Sequence, residues 1–146
     1  MKSPYYVATV VNAYRRRIDG TDPVDALRRE LDAASHRAYA SGFYFGAMKK
    51  HAPDDGVYQQ DCKFVGVVKE MLPGNRMRVE QRNRICDGDT LEVVSPKLFG
   101  VRFTAQNMTD AEGRPMEAAA VPMTLFDMDA PEGIDAGDIL RVRLKG

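Results

Sequence analysis

The hydrophobic period of this chain changes once, and that change limits what it can fold into. Up to about residue 34 the apolar residues recur at steps of three and four. From residue 61 onward they alternate with polar ones at steps of two. The first spacing is that of an α-helix with one apolar face, the second that of a strand whose side chains point alternately to either face. Helices first and strands at short spacing afterwards point to a mainly β fold preceded by helices.

The helical part has clear ends. Ser3 and Pro4 suit a cap and a first helical position, and Val7, Val10, Val11, Tyr14 and Ile18 mark one stripe. Arg15, Arg16 and Arg17 crowd the last turn, where cations complement the carbonyl end, and Asp19-Gly20 stops the helix. Asp22 as cap and Pro23 as first residue open a second helix, with Val24, Leu27, Leu31 and Ala34 as its stripe. Neither helix can bury its stripe alone. Each needs the rest of this chain, another domain or another copy.

Residues 47–60 are polar and aperiodic, with Pro53 and Gly56, and read as a linker. The expected division is 1–46, 47–60 and 61–146. Phe64–Val68 is a nearly continuous apolar run, expected of a strand covered on both faces. Leu72-Pro73-Gly74-Asn75 and Glu112-Gly113-Arg114-Pro115 are turns. Phe99, Val101, Phe103 and Ala105 give the cleanest alternation, and Val121–Met128 and Ile139–Leu144 complete about six strands. Gly88-Asp89 and Gly137-Asp138 each precede a strand. Glycine supplies a positive-φ turn position and aspartate bonds nearby backbone amides. Short strands after short polar turns are similar to the second-domain barrel of translation elongation factors such as Tu. The expected fold is therefore mainly β: two helices, then a closed barrel of about six strands, because closure removes exposed edges.

Composition adds exclusions. Lys plus Arg and Asp plus Glu both number 21 in 146 residues, so attraction to an anionic partner must come from local patches. The two cysteines, Cys62 and Cys86, make no disulfide framework and are expected as reduced thiols in the cytoplasm. No apolar run reaches the roughly 20 residues a membrane helix needs. His36 and His51 have no second ligand at metal spacing. The acidic run from Asp127 to Asp138 lacks the glycine and ligand positions of a calcium loop and reads as a solvated turn.

Two stretches carry candidate binding chemistry. On the strand Arg76–Ile85, residues Arg76, Arg78, Arg82 and Arg84 share one face, interrupted by Glu80. Their spacing of roughly 6.6–6.8 Å per two residues matches an extended RNA backbone, and guanidinium groups grip phosphates through forked donors. Arg141 and Arg143 repeat the pattern on the last strand. The alternative is a solvated face whose arginines pair with carboxylates across strands. The second stretch, Ser35–Gly46, holds His36 and Arg37 and then Phe43, Tyr44 and Phe45 between two glycines. These residues could contact RNA or substrate, or simply anchor the chain between two domains.

That second stretch, together with Met1-Lys2-Ser3-Pro4-Tyr5-Tyr6-Val7-Ala8, Tyr14-Arg15 and Val79–Arg84 leading to Gly88-Asp89, resembles the C-terminal region of the U32, or collagenase-like, peptidase family. The resemblance is strongest to the branch acting in tRNA wobble-uridine hydroxylation and spans nearly the whole chain. It implies a catalytic half ahead of Met1, with the cysteines used for protease-like or iron–sulfur chemistry placed there. Residues 1–46 would then be the tail of that upstream domain, and this chain would carry no catalytic residue and no cofactor. An iron–sulfur cluster would belong to the upstream domain. The expected role is an accessory module that positions tRNA, with the upstream domain and tRNA as partners. The alternatives are a lid or substrate-recognition module of a peptidase, and a docking or homo-oligomerisation module using the exposed helices.

Overall fold

The computed structural model describes residues 3–34 and 61–144. Helix α1 spans Pro4–Asp19. The Ser3 side chain accepts the Tyr6 N–H at 3.2 Å, Pro4 occupies the first turn, and Gly20 ends the helix at φ 68°. Local capping chemistry thus sets both ends. Helix α2 spans Val24–Ala33 and lacks the expected Asp22 cap. Asp22 accepts instead from Arg16 at 3.0 Å and from Thr21 at 2.8 Å. The Thr21 hydroxyl and the Arg16 guanidinium hold its carboxyl below the ordinary value. No described helix is long and apolar enough to cross a membrane.

Eight strands follow: β1 Cys62–Leu72, β2 Arg76–Gln81, β3 Ile85–Cys86, β4 Thr90–Val94, β5 Arg102–Thr104, β6 Ala118–Ala119, β7 Leu125–Asp129 and β8 Ile139–Arg143. Six form one antiparallel sheet in the order β5-β4-β8-β1-β2-β7, and β3 pairs with β6 separately. The sheet curls until its two edges meet. Beyond β5, Gln106 accepts the Asp129 N–H at 3.1 Å, and Thr109 and Asp127 exchange N–H···O bonds of 2.8 and 2.9 Å. The six-stranded fold is as expected, but the sheet is a curled half-barrel whose edges touch at a single bridge, and not a barrel closed by a full strand pair.

Both Gly-Asp dipeptides work as their chemistry implies. Gly88 and Gly137 take φ of 88° and 96°, while Asp89 accepts the Cys86 N–H at 2.8 Å and Asp138 the Asp135 N–H at 2.9 Å. Strand alternation sends Val65, Met77, Val79, Leu91, Phe126 and Leu140 into the barrel. A second apolar cluster lies outside the sheet, where Tyr5, Ala33 and Ala34 of the helical part cover Cys62, Val94 and Ile139. Tyr5 stacks on Phe64 with centroids 5.7 Å apart and donates its hydroxyl to Ala33 O at 3.1 Å.

The helix α1 face in that contact is not the expected stripe. Tyr5, Thr9 and Ala13 are buried, whereas Val7, Val11, Tyr14 and Ile18 are exposed. Small and hydroxyl-bearing side chains let the helix lie close to the sheet and to α2, which turns the bulky row outward.

Gly66 is a packing requirement. A Cβ there would stand 2.7 Å from Val79 Cγ1 and 3.3 Å from Glu80 O. Gly66→Ala is expected to lower stability by about 1–3 kcal/mol, the range for overpacking, read as a lower urea midpoint at unchanged slope.

Candidate nucleic-acid interface

The six arginines singled out on β2 and β8 fall into three environments. Arg76 and Arg78 lie on the outer face of β2, where antiparallel pairing sets Asp129 and Asp127 directly opposite. Arg76 contacts Asp129 at 3.3 Å and donates to Asn107 O at 3.0 Å and Thr109 Oγ1 at 2.9 Å. Arg78 makes a forked pair with Asp127 at 2.8 and 2.9 Å. The hydrogen bond and charge of Asp127 hold the Arg78 guanidinium above its ordinary pKa. These two are charge-neutralised where they stand.

Arg141 is buried beneath the helices. Its Nη2 donates to Glu30 of α2 and to Glu92 of β4, both at 2.6 Å. Burial opposes the charge, but the two carboxylates outweigh it and push the Arg141 pKa up. Glu92 shows the converse. Burial would raise its pKa, yet the Arg141 hydrogen bond and the charges of Arg141, Arg143 and Arg102 hold it below the ordinary value. This cluster joins the helices to the barrel and is closed to a polymer.

Arg82, Arg84 and Arg143 gather at one end of the barrel. The strand β2 stops at Gln81, since the Arg82 and Asn83 N–H groups both turn to Val65 O, at 2.8 and 3.2 Å. Asn83 Nδ2 donates to Phe64 O at 2.7 Å, which sets Arg84 beside the start of β1. Arg143 lies opposite Cys62 at the same end, and Lys63 lies opposite Val142, one residue further along β1. Arg82 pairs with Glu80 at 2.5 Å, and Arg143 approaches Glu92 at 3.3 Å. Arg84 and Lys63 are exposed and have no carboxylate partner among the described residues. The arginines read from the sequence on two strands thus stand in three separate settings, and the cross-strand carboxylate pairing raised as their alternative holds for Arg76, Arg78 and Arg141. Lys63, which the sequence pattern did not single out, is an exposed cation near the start of β1 whose register partner is Val142 of β8.

His36, Arg37, Phe43, Tyr44 and Phe45 lie outside the described residues. Among the described residues no three His, Cys, Asp or Glu side chains converge as a metal site. Cys62 is buried, and burial pushes its thiol up despite Arg141 and Arg143 nearby, which leaves it protonated. An iron–sulfur cluster takes four cysteine thiolates or near equivalents, and the chain's two cysteines, placed on β1 and β3, do not fit it.

The described residues thus form a curled antiparallel sheet with two helices packed on its outer face. Comparison places it. The model of the Peptidase family U32 C-terminal domain matches residues 60–141, and that of Peptidase family U32 matches residues 1–54. The chain belongs to peptidase family U32. It is similar to tRNA hydroxylation protein P1 of Bacillus subtilis (strain 168), 28% identical, covering 97% of this chain and 36% of that protein. It is also similar to tRNA hydroxylation protein P of Escherichia coli (strain K12), 32% identical, covering 97% and 33%. The chain thus spans about a third of the length of these relatives. Two crystal structures of the C-terminal domain of a Geobacillus thermoleovorans protein described as a U32 peptidase share the fold. One, a selenomethionine variant, has TM-score 0.51, 22% identity, and covers 54% of this chain and 98% of that one. The other has TM-score 0.52, 20% identity, and covers 57% and 93%.

Proposed function

We propose that this chain is a non-catalytic module of a U32 protein acting in tRNA hydroxylation in the cytoplasm, where its barrel positions the RNA while a U32 catalytic domain carries out the chemistry. The observation that carries this reading is the cationic end of the barrel. Lys63 and Arg84 have no ion pair among the described residues, while Arg82 and Arg143, toward the same end of the barrel, are paired with Glu80 and Glu92. Unpaired cations release counterions when they meet phosphate, whereas Arg76 and Arg78 would first have to give up Asp129 and Asp127. The names of the two curated relatives supply the class of nucleic acid.

Titration of labelled tRNA with the chain at graded salt tests this. The double variant Lys63→Glu, Arg84→Glu is expected to bind about tenfold or more weakly and to flatten the plot of log affinity against log salt by about 1.5–2. Arg78→Ala should leave both quantities close to wild type. Equal affinity and slope for all three proteins would remove the proposal.

A further inference from the structure

The face of α1 that points away from the barrel is left unused by the packing of the described residues. Val7, Val11, Tyr14 and Ile18 are 52%, 44%, 60% and 81% exposed. Their steps of four, three and four form one row, the spacing of a seam that takes a second helix. At about 100° per residue this row lies opposite the buried Tyr5, Thr9 and Ala13, with Arg15 on one flank and Arg17 on the other. Both arginines are exposed, and neither has a carboxylate partner among the described residues. Open clefts run along both sides. One of about 550 Å³ lies between α1 and Val94–Pro96 and includes Arg15. Another of about 280 Å³ lies between α1 and α2 and includes Arg17 and Arg28.

Three occupants compete for such a surface. RNA would meet the arginines but find a mainly aliphatic row, with Tyr14 as its single stacking face. A second copy would pack two Arg15-Arg16-Arg17 runs around a seam to which each α1 adds one carboxylate, Asp19. We infer that the seam receives an apolar helix bordered by Asp or Glu, carried by a segment of a U32 protein outside these 146 residues. Charge complementarity selects the borders, and the heptad spacing selects the helix. Both helices of this chain fall in the stretch matched by the Peptidase family U32 model, separate from the C-terminal domain match. The matched stretch is about a third of each curated relative, so proteins of this family hold ample chain to supply the partner. The inference rests on family membership and not on the RNA role.

The test is fluorescence anisotropy with the whole 146-residue chain. The probe is a labelled amphipathic peptide of about three heptads, with leucine along its seam and glutamate on both flanks. A matched peptide carries lysine on the flanks. The glutamate peptide is expected to bind about tenfold tighter than the lysine peptide. Val11→Asp with Ile18→Asp should abolish binding, and Arg15→Glu with Arg17→Glu should reverse the preference between peptides. All four positions are exposed, so circular-dichroism melting should report folded variants, and tRNA titrations with Val11→Asp, Ile18→Asp should match wild type. Binding of neither peptide, or equal binding of both, overturns the inference. So does a dimer in sedimentation equilibrium that Val11→Asp, Ile18→Asp dissociates, because the occupant is then a second copy.

Discussion

Arg141→Met is expected to destabilise the chain by about 3–5 kcal/mol in urea unfolding, the cost of stripping a buried charge pair of one partner. The side chain is 1% exposed and Glu92 is 4% exposed, so water cannot take over the lost contacts. Glu92 would remain under the helices with Arg143 at 3.3 Å and Arg102 at 3.6 Å, both weaker partners at longer range. The network is also incompletely satisfied in the native chain, because Arg141 Nε and Nη1 are buried without a hydrogen-bond partner. An apolar replacement of the whole pair should therefore cost far less than breaking it. Arg141→Met with Glu92→Met is expected to recover most of the loss, and a double-mutant cycle measures the difference. A double variant as unstable as Arg141→Met alone would show that the guanidinium acts through packing and not through charge.

The same cluster sets the acid limb of stability. Glu92 has a folded pKa below its unfolded one, so its contribution is present above the ordinary carboxylate value and is lost as pH falls through the folded one. Acid unfolding should accordingly begin below about pH 4 and be displaced in Glu92→Gln.

How much of this was legible in the sequence depends on the range of the interaction. The ends of α1 and the two Gly-Asp turns are decided by neighbours within a few residues, and Ser3, Gly20, Asp89 and Asp138 all do what their chemistry implies. The alternation of β2 and β7 likewise follows from local pattern. The row Val7, Val11, Tyr14 and Ile18 was visible as a face, but periodicity does not say what a face meets. The barrel took the opposite side because Thr9 and Ala13 permit close approach. The partners of the arginines were hidden for a related reason. Arg78 meets Asp127 and Arg141 meets Glu30, partners 49 and 111 residues distant in sequence. Such pairings require strand register and the position of α2 over β8, and neither is encoded near the arginine.

Tyr5→Ala is expected to detach the helices from the barrel, at a cost of about 3–5 kcal/mol for the aromatic side chain removed from a buried site. Tyr5 is 3% exposed, stacks on Phe64 and donates to Ala33 O, so it touches β1 and the end of α2 at once. Its loss should fall on the helical part. The barrel keeps its own interior of Val65, Val79, Phe126 and Leu140, and its fold occurs in crystal structures of C-terminal domains alone. Limited proteolysis of Tyr5→Ala should then release the N-terminal helices and leave a resistant barrel, where wild type resists at both. Simultaneous digestion of both parts would mean that the barrel depends on its helical cover. Tyr5→Phe separates the hydroxyl from the ring. Burial raises the phenol, and the nearby Arg141 charge offsets part of this, for a value of about 12 against the ordinary 10.0. The contribution is therefore complete below pH 10 and disappears as pH rises toward 12. In Tyr5→Phe the stack on Phe64 remains and this alkaline loss should vanish, so the variant should hold its helices at a pH where wild type begins to release them.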